Sequence, residues 1–559
     1  MRLKKLTLVS ACIAGMFLTA CGGGSGGGSS IGGSLPAVAE LKSQAFYQIA
    51  FKDAITGNPI TDRLSVTFKG DATLTAADGT SLNGKTITTT DGVVALGATF
   101  SMAAKDFSVQ VGNRALGWVE TGTSVTGSSL TSGDHTLELL LLNTSNATAI
   151  NDSTAPISVK TGTSTVTAGG ALGTAVSLST TPKTVTNAEG AAETTGSATL
   201  KLPVGVVGKT ASGQPAAAGS LTVAVINYSN SNVDSLSAFP GGFAATVSGA
   251  PASALNGAAA DGGSFVTGGF AQFNVTDSAG NAIKNFDPPI PVSIDLPKTT
   301  LAADGATLLK VGDAYPIWSY DDATGGWKFE KEGTVAEKTP VDPNNYTVAF
   351  TTSHLSSWNL DFYVASCTGQ INLTGRPAGD TRQLDVEVTG VSGRRFSYRD
   401  NVTDSQLSLL RSPIGTAVNV VVKNQGVIVG RVSNQHLCTG SSTNPISIPL
   451  TLQATPVGTV RVETSESCTD GSQKRAVPAF TYLMNGTSRL GGYTVGTTVA
   501  SKNFASILPG TKQVYVQNPR TLAYTSKPVS VTANSTVTAA FNFPVTCPTG
   551  ATGATGAGN

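Results

Sequence analysis

Apolar and polar residues alternate one for one in stretch after stretch of this chain, and that period of two most constrains its fold. Tyr47, Ile49 and Phe51 alternate with Gln48, Ala50 and Lys52, and Leu64, Val66 and Phe68 with Ser65, Thr67 and Lys69. The pattern returns at Leu221, Val223 and Val225, at Val292, Ile294 and Leu296, and at Val460 and Val462. A β-strand sends successive side chains to opposite faces, so such runs bury one face and wet the other, as antiparallel sandwich strands do. Asp78-Gly79 and Asn83-Gly84 supply turn signals between the runs. Helical periodicity is scarce; Asp404 to Leu410 reads as one short helical turn. The expectation is an all-β, multidomain array of antiparallel β-sandwiches.

Composition agrees. Thr- and Val-rich runs are separated by Gly, Asn and Asp, and charged residues are only 13% of the 559. A net charge of +1 excludes an electrostatically driven nucleic-acid partner. The Ser/Thr/Gly/Ala stretch from Asn143 to Gly196 leaves a second reading open, a partly disordered stalk.

The N-terminus reads as a targeting segment. Arg2, Lys4 and Lys5 precede an apolar run, Leu6 to Leu18, that is too short for an ordinary spanning helix. Leu18-Thr19-Ala20-Cys21 resembles the lipobox of bacterial lipoproteins. That resemblance implies cleavage before Cys21 and a diacylglycerol on its thiol. An ordinary secretory signal with an incidental cysteine is the alternative. Gly22 to Ser30 form a flexible leash that suits a body standing off a bilayer. Gly22 replaces the Asp of an inner-membrane retention signal, so in a Gram-negative source the outer membrane or cell surface is expected. No later stretch approaches the ~20 apolar residues of a spanning helix, so the lipid on Cys21 is the one expected membrane partner.

Of six cysteines, Cys12 leaves with the signal and Cys21 takes the lipid. Cys367, Cys438, Cys468 and Cys547 remain, with three possible pairings. Chain order favours Cys367–Cys438 and Cys468–Cys547, one bridge in each of two consecutive domains. Each would contribute on the order of 4 kcal/mol by the chain-entropy argument. The expected organisation is a signal (1–20), a linker (21–35), sandwiches over 36–150 and 151–365, bridged domains over 366–452 and 453–547, and a loose tail (548–559).

Phe51 to Ile60 and Thr88 to Leu96 resemble carboxypeptidase-regulatory-like and bacterial Ig-like sandwiches. Gly458 to Ser465, Ser506 to Gln517 and Val529 to Phe543 resemble a PEGA-type or carboxypeptidase-regulatory-like module. Gly268 to Pro297, Ala314 to Val335 and Tyr346 to Phe362 resemble the module of bacterial surface lipoproteins and cartilage intermediate layer protein. A more distant likeness reaches the ZU and GPS domains.

Some GPS-type relatives cut themselves after His-Leu and before Ser or Thr, downstream of two tryptophans. The matching positions are Trp318, Trp327, His354, Leu355 and Ser356. The resemblance implies that His354 takes the hydroxyl proton of Ser356, whose Oγ attacks the Leu355 carbonyl to give an ester that water opens. The GPS region carries paired cysteines there, and this chain has none between Cys21 and Cys367. The bland reading makes Trp318, Trp327 and Trp358 core aromatics, with His354 and Ser356 satisfying backbone groups at a turn.

Asp277, Asn281 and Asp287 form one candidate calcium cluster, and Asp321, Asp322 and Asp342 another. Both read better as solvated turns, because calcium wants six to eight oxygens from a concave loop. Trp118 is either a sugar platform or a buried sandwich tryptophan. No nucleophile elbow, zinc-protease motif or phosphate loop is present, and the three histidines fall in separate regions. The expected function is a non-enzymatic, lipid-anchored surface protein serving as a structural, adhesion or ligand-binding module, without cofactor or metal. Its protein or glycan ligand is not legible. Self-processing at Leu355–Ser356 and a carbohydrate-binding or hydrolase-accessory role are the alternatives.

Overall fold

The computed structural model describes residues 35, 43 and 45–547, apart from 101–105, 126–132, 453–455, 496–500 and positions 188, 322–323, 378–379, 381, 392, 403, 472 and 487. The signal, Cys21, nearly all of the leash and the tail lie outside the described residues. The described chain is almost wholly strand, with isolated single turns of helix.

Alternation sets the inward face of the strands, but in Ala45–Asp53 the expected wet positions Gln48 and Ala50 are buried as well, because residues such as Phe480 cover the outer face of that sheet. In the first domain Ala45–Asp53 lies between Val93–Thr99, antiparallel, and Gly133–Leu141, parallel, with Thr73–Thr75 outermost. The facing sheet has the order Thr86–Thr89, Leu64–Gly70, Phe107–Asn113, Trp118–Val125. Tyr47, Ile49, Phe51, Leu64, Val66 and Phe68 meet between the two sheets. Asn83 closes the turn after Leu82: its carboxamide accepts from Leu74 N at 2.8 Å and donates to Ala72 O at 2.6 Å. Gly84 follows at φ 65°, a conformation that favours glycine.

The same wiring recurs twice. In the third domain the C-terminal half of Ser357–Thr374 lies between Gln406–Pro413, antiparallel, and Ile446–Pro449, parallel. Its facing sheet runs Ser397–Val402, Leu384–Gly390, Ala417–Asn424, Val427–His436. In the fourth, Gly458–Cys468 lies between Ser501–Ile507 and the parallel Thr536–Val545. There Ser488–Val495, Ala479–Asn485, Gly510–Gln517 and Tyr524–Val531 form the second sheet. Each of these sandwiches therefore holds one parallel pair, formed by its first and last strands. A parallel first-and-last pair puts chain entry and chain exit at opposite poles, which suits domains threaded in series. Disulfides join Cys367 to Cys438 and Cys468 to Cys547.

The second domain is larger. Its sheet folds over on itself at Gly326–Glu337, which pairs with Ala314–Asp321 on one layer and, through Val335 to Glu337, with Asn345–His354 on the other. Val223, Val225, Phe273, Ile294, Val348 and Leu360 fill the interior. Successive residues Ile317 and Trp318 enter different cores. Trp318 joins Trp327, Phe239, Phe265 and Tyr363 on the outer face, and this cluster continues into the third domain's Val386, Val420 and Ile448.

Two expectations are corrected. Asp404 to Leu410 is not helical; Gln406–Pro413 is a strand that buries Leu407 and Leu409, a two-residue spacing that overrides the cap-like Asp404-Ser405. The stretch from Asn143 to Gly196 is not a stalk, because strands such as Ile157–Val166 and Val176–Ser179 belong to the second domain's sheet. In addition, Ser357–Thr374 runs unbroken across the 365/366 position where a boundary was expected. Both cores need that strand, so no linker separates them.

The domains also close on one another. The first meets the second through Gln272 Nε2, which donates to Glu120 O at 2.8 Å, and Ser124 Oγ, which donates to Gly325 O at 2.8 Å. Arg395 bridges third to second, donating to both Glu189 oxygens at 2.6 and 2.8 Å. Asn485 Nδ2 reaches Gln425 Oε1 between fourth and third. The fourth returns to the first: Phe480 packs edge-on against Phe46, and Leu522 lies on the first domain's core. Leu35 N donates to Gln473 Oε1, so the chain reaches the first domain from beside the fourth. The four domains form a ring.

Candidate functional site

The His354-Leu355-Ser356 segment lies at the end of Asn345–His354, packed between layers. Leu355 and Ser356 are buried, and neither they nor His354 has a positive φ. Ser356 Oγ donates to the carbonyl of Tyr320 on the neighbouring strand. The imidazole is committed elsewhere: Nε2 is 3.6 Å from Glu330, Nδ1 is 3.5 Å from Thr352 Oγ1, and the ring packs on Trp358. Burial lowers the His354 pKa against the opposing pull of Glu330, and neighbouring lysines lower it further. The hydrogen bond from Ser356 to His354 that an acyl shift starts from is thus replaced by one to a backbone carbonyl.

The candidate calcium clusters resolve into turns. Asp277 accepts from the backbone of Ala217, Ala279 and Asn281 and from the Asn281 side chain. Asp287 is exposed, 3.9 Å from Lys209. Asp342 accepts from Asn344, Asn345 and Lys338, Asp321 accepts from Thr324, and Asp322 lies outside the described residues. Among the described residues no group of three or more His, Cys, Asp or Glu is placed to hold a metal. All four tryptophans are buried, and the indoles of Trp118, Trp318 and Trp327 donate to Asp62, Asp361 O and Pro240 O. A tryptophan platform for sugar is therefore absent.

The ring encloses something else. All four domains line a chamber of about 1570 Å³ that opens to solvent. The first domain contributes Lys52, His135 and Glu138, and the second Phe239, Phe243 and Trp327. The third contributes Asp385, Glu387 and Arg399, and the fourth Tyr482, Met484 and Tyr515. The rings of Tyr482 and Tyr515 stack at 4.6 Å with planes only 3° apart. Lys52 pairs with Glu138; Lys423 and Arg399 reach Glu387 at 2.9 and 3.3 Å; Arg399 also holds Asp234 at 2.7 Å. Burial, with Glu138 and Glu387 adding, pushes Asp385 up to about 6, while Lys423 and Lys52 offset this in part. On the adjacent strand Tyr398 Oη donates to Asp400 at 3.0 Å, and burial with that carboxylate raises the phenol.

Of these side chains only Trp327 was singled out from the sequence, and for a different role. The local signal is slight: Lys52 and Glu138 sit beside the buried Phe51, Leu139 and Leu140 on strands that also carry other polar residues.

No family model matches the chain, and no curated protein matches it. Among solved structures it aligns with the minor pilin GBS52 of Streptococcus agalactiae at 8% identity and a TM-score of 0.16, over 33% of this chain and 98% of that one. The major pilin subunit BcpA of Bacillus cereus aligns at 10% identity and 0.14, over 89% and 99%. The Bacillus anthracis TIE protein aligns at 12% and 0.13, over 72% and 59%. TM-scores this low assign neither fold nor role, and the architecture stands on the chain's own geometry. Among the described residues no helix is long and apolar enough to cross a membrane.

Proposed function

We propose that this chain is an exported surface lipoprotein, held to a membrane by a lipid on Cys21, whose four domains close around a ligand-binding chamber. It acts by binding and not by catalysis. The observation that carries the reading is the chamber: seams built from all four domains surround about 1570 Å³ of accessible space. A spacer needs only end-to-end contacts, whereas here the fourth domain folds back onto the first through Phe480, Tyr482 and Leu522. The basic start, apolar run and Leu18-Thr19-Ala20-Cys21 support the location, and the Gly22 to Ser30 leash supports a body displaced from the bilayer.

The location is tested by expressing wild type and Cys21→Ser with an alkyne fatty acid. The wild type should take up the label and partition with membranes, and the variant should do neither. Label retained in the variant, or wild type that remains soluble and unlabelled, would overturn the anchor.

A further inference from the structure

We infer that the chamber binds an extended peptide segment carrying lysine or arginine side chains. The inference deepens the chamber reading above and rests on it. Size is the first observation. Drug-sized ligands occupy roughly 300–1,000 Å³, and the chamber exceeds that range at about 1570 Å³.

Charge is the second. Among the described residues eight carboxylates line the chamber against five lysine or arginine side chains, in a chain whose net charge is +1. The excess is concentrated. At the mouth between the first two domains, Asp71 and Asp106 sit on adjacent loops joined by Asp71 N donating to Asp106 O. Asp321 faces the same opening beside Gly325, which is bonded to Ser124 of the first domain. Lys69 is the base among them. Midway along, Glu138, Asp385 and Glu387 converge on Lys52, Lys423 and Arg399. Those three acids and three bases balance, so the unmatched negative charge lies at the mouth, where an ammonium or guanidinium group is the complementary visitor.

The third observation is backbone. Ser397–Val402 is an edge strand, paired with Leu384–Gly390 on one side, and its Tyr398, Arg399 and Asp400 line the chamber. Edge strands recognise extended peptides by adding a strand, with side-chain pockets providing selectivity. On the fourth domain the half-buried Tyr515, stacked on the buried Tyr482, adds an aromatic side chain to the wall. Strand addition together with acidic and aromatic walls fits a basic peptide better than a sugar or an anion.

The test is fluorescence anisotropy on the full mature chain with three labelled decapeptides, alternating glycine with lysine, with glutamate or with serine. The lysine peptide should bind, and the other two should not. The double variant Asp71→Lys with Asp106→Lys, both exposed loop positions, should weaken it by about tenfold or more. Binding should weaken from about pH 7 to about pH 5, as Asp385 takes up a proton. Glu138, Glu387, Lys52 and Lys423 act on Asp385 directly, and Arg399, Asp400 and His135 also line that space. Asp385→Asn should therefore flatten the profile.

No binding of the lysine peptide, equal binding of all three, or indifference to the charge reversal would overturn the inference. Displacement of the lysine peptide by equimolar spermine would also overturn it, in favour of a small polyamine. X-ray scattering on the same sample separates the two levels. A closed ring without peptide binding defeats this inference alone, and an open string of domains defeats the chamber itself.

Discussion

Asp385 shows how a single side chain couples the domains. It stands on the third domain, yet Glu138 and Lys52 of the first help set its proton affinity. Its folded pKa, about 6, lies above the unfolded carboxylate range. Below about pH 4 both states hold the proton. Between that and its folded pKa the unfolded chain releases the proton first, so stability falls as pH rises, and above about 6 the loss is complete. Asp385→Asn should remove this slope and stabilise the protein at neutral pH. Urea titrations on either side of the window check it, and a variant as pH-dependent as wild type would contradict it.

Glu466 is a second such residue. It is fully buried and holds Arg520 at 2.6 and 3.1 Å and Arg475 at 3.1 Å. Glu466→Ala removes the charge-assisted bonds to both guanidinium groups, whose side chains are 33% and 29% exposed, so a loss of about 1.5–3 kcal/mol is expected in thermal melts. Ser356, by contrast, already donates its hydroxyl to Tyr320. Mass spectrometry of purified protein should find one chain across Leu355–Ser356, and a cut there would contradict the geometry.

At the scale of elements, strands were legible and their partners were not. Leu64, Val66 and Phe68 alternate in sequence and are buried in the core. Nothing local says that Ala45–Asp53 takes a parallel neighbour from residues 133–141, because pairing depends on the whole sandwich closing. Likewise Ser357–Thr374 carries an apolar pattern through two cores, which a reading by domains divides at 365. The Cys367–Cys438 bridge spans 71 residues and Cys468–Cys547 spans 79. Replacing either pair with serines should cost its own domain on the order of 4 kcal/mol. Calorimetry should show loss of Cys468–Cys547 lowering the fourth domain's transition, and loss of Cys367–Cys438 lowering that of the second and third domains together, because they share Ser357–Thr374. A uniform shift would mean that the bridges stabilise the ring and not their sandwiches.

At the scale of the molecule, the chamber was hidden from the sequence because its walls come from four separate domains. Lys52 and Asp385 are far apart in the chain, and only ring closure brings them near. Closure depends on the fourth domain meeting the first through Phe46, Phe480 and Leu522, with the Arg520–Glu466 pair fixing the loop that presents Leu522. The most direct test is small-angle X-ray scattering of wild type and Leu522→Asp. A closed body of this length should have a radius of gyration within a few ångström of roughly 24 Å. The variant should be larger, because a carboxylate set against the apolar contacts of that seam opens it. If wild type already scatters as an elongated string, and Leu522→Asp leaves the curve unchanged, the ring and its chamber do not exist in solution.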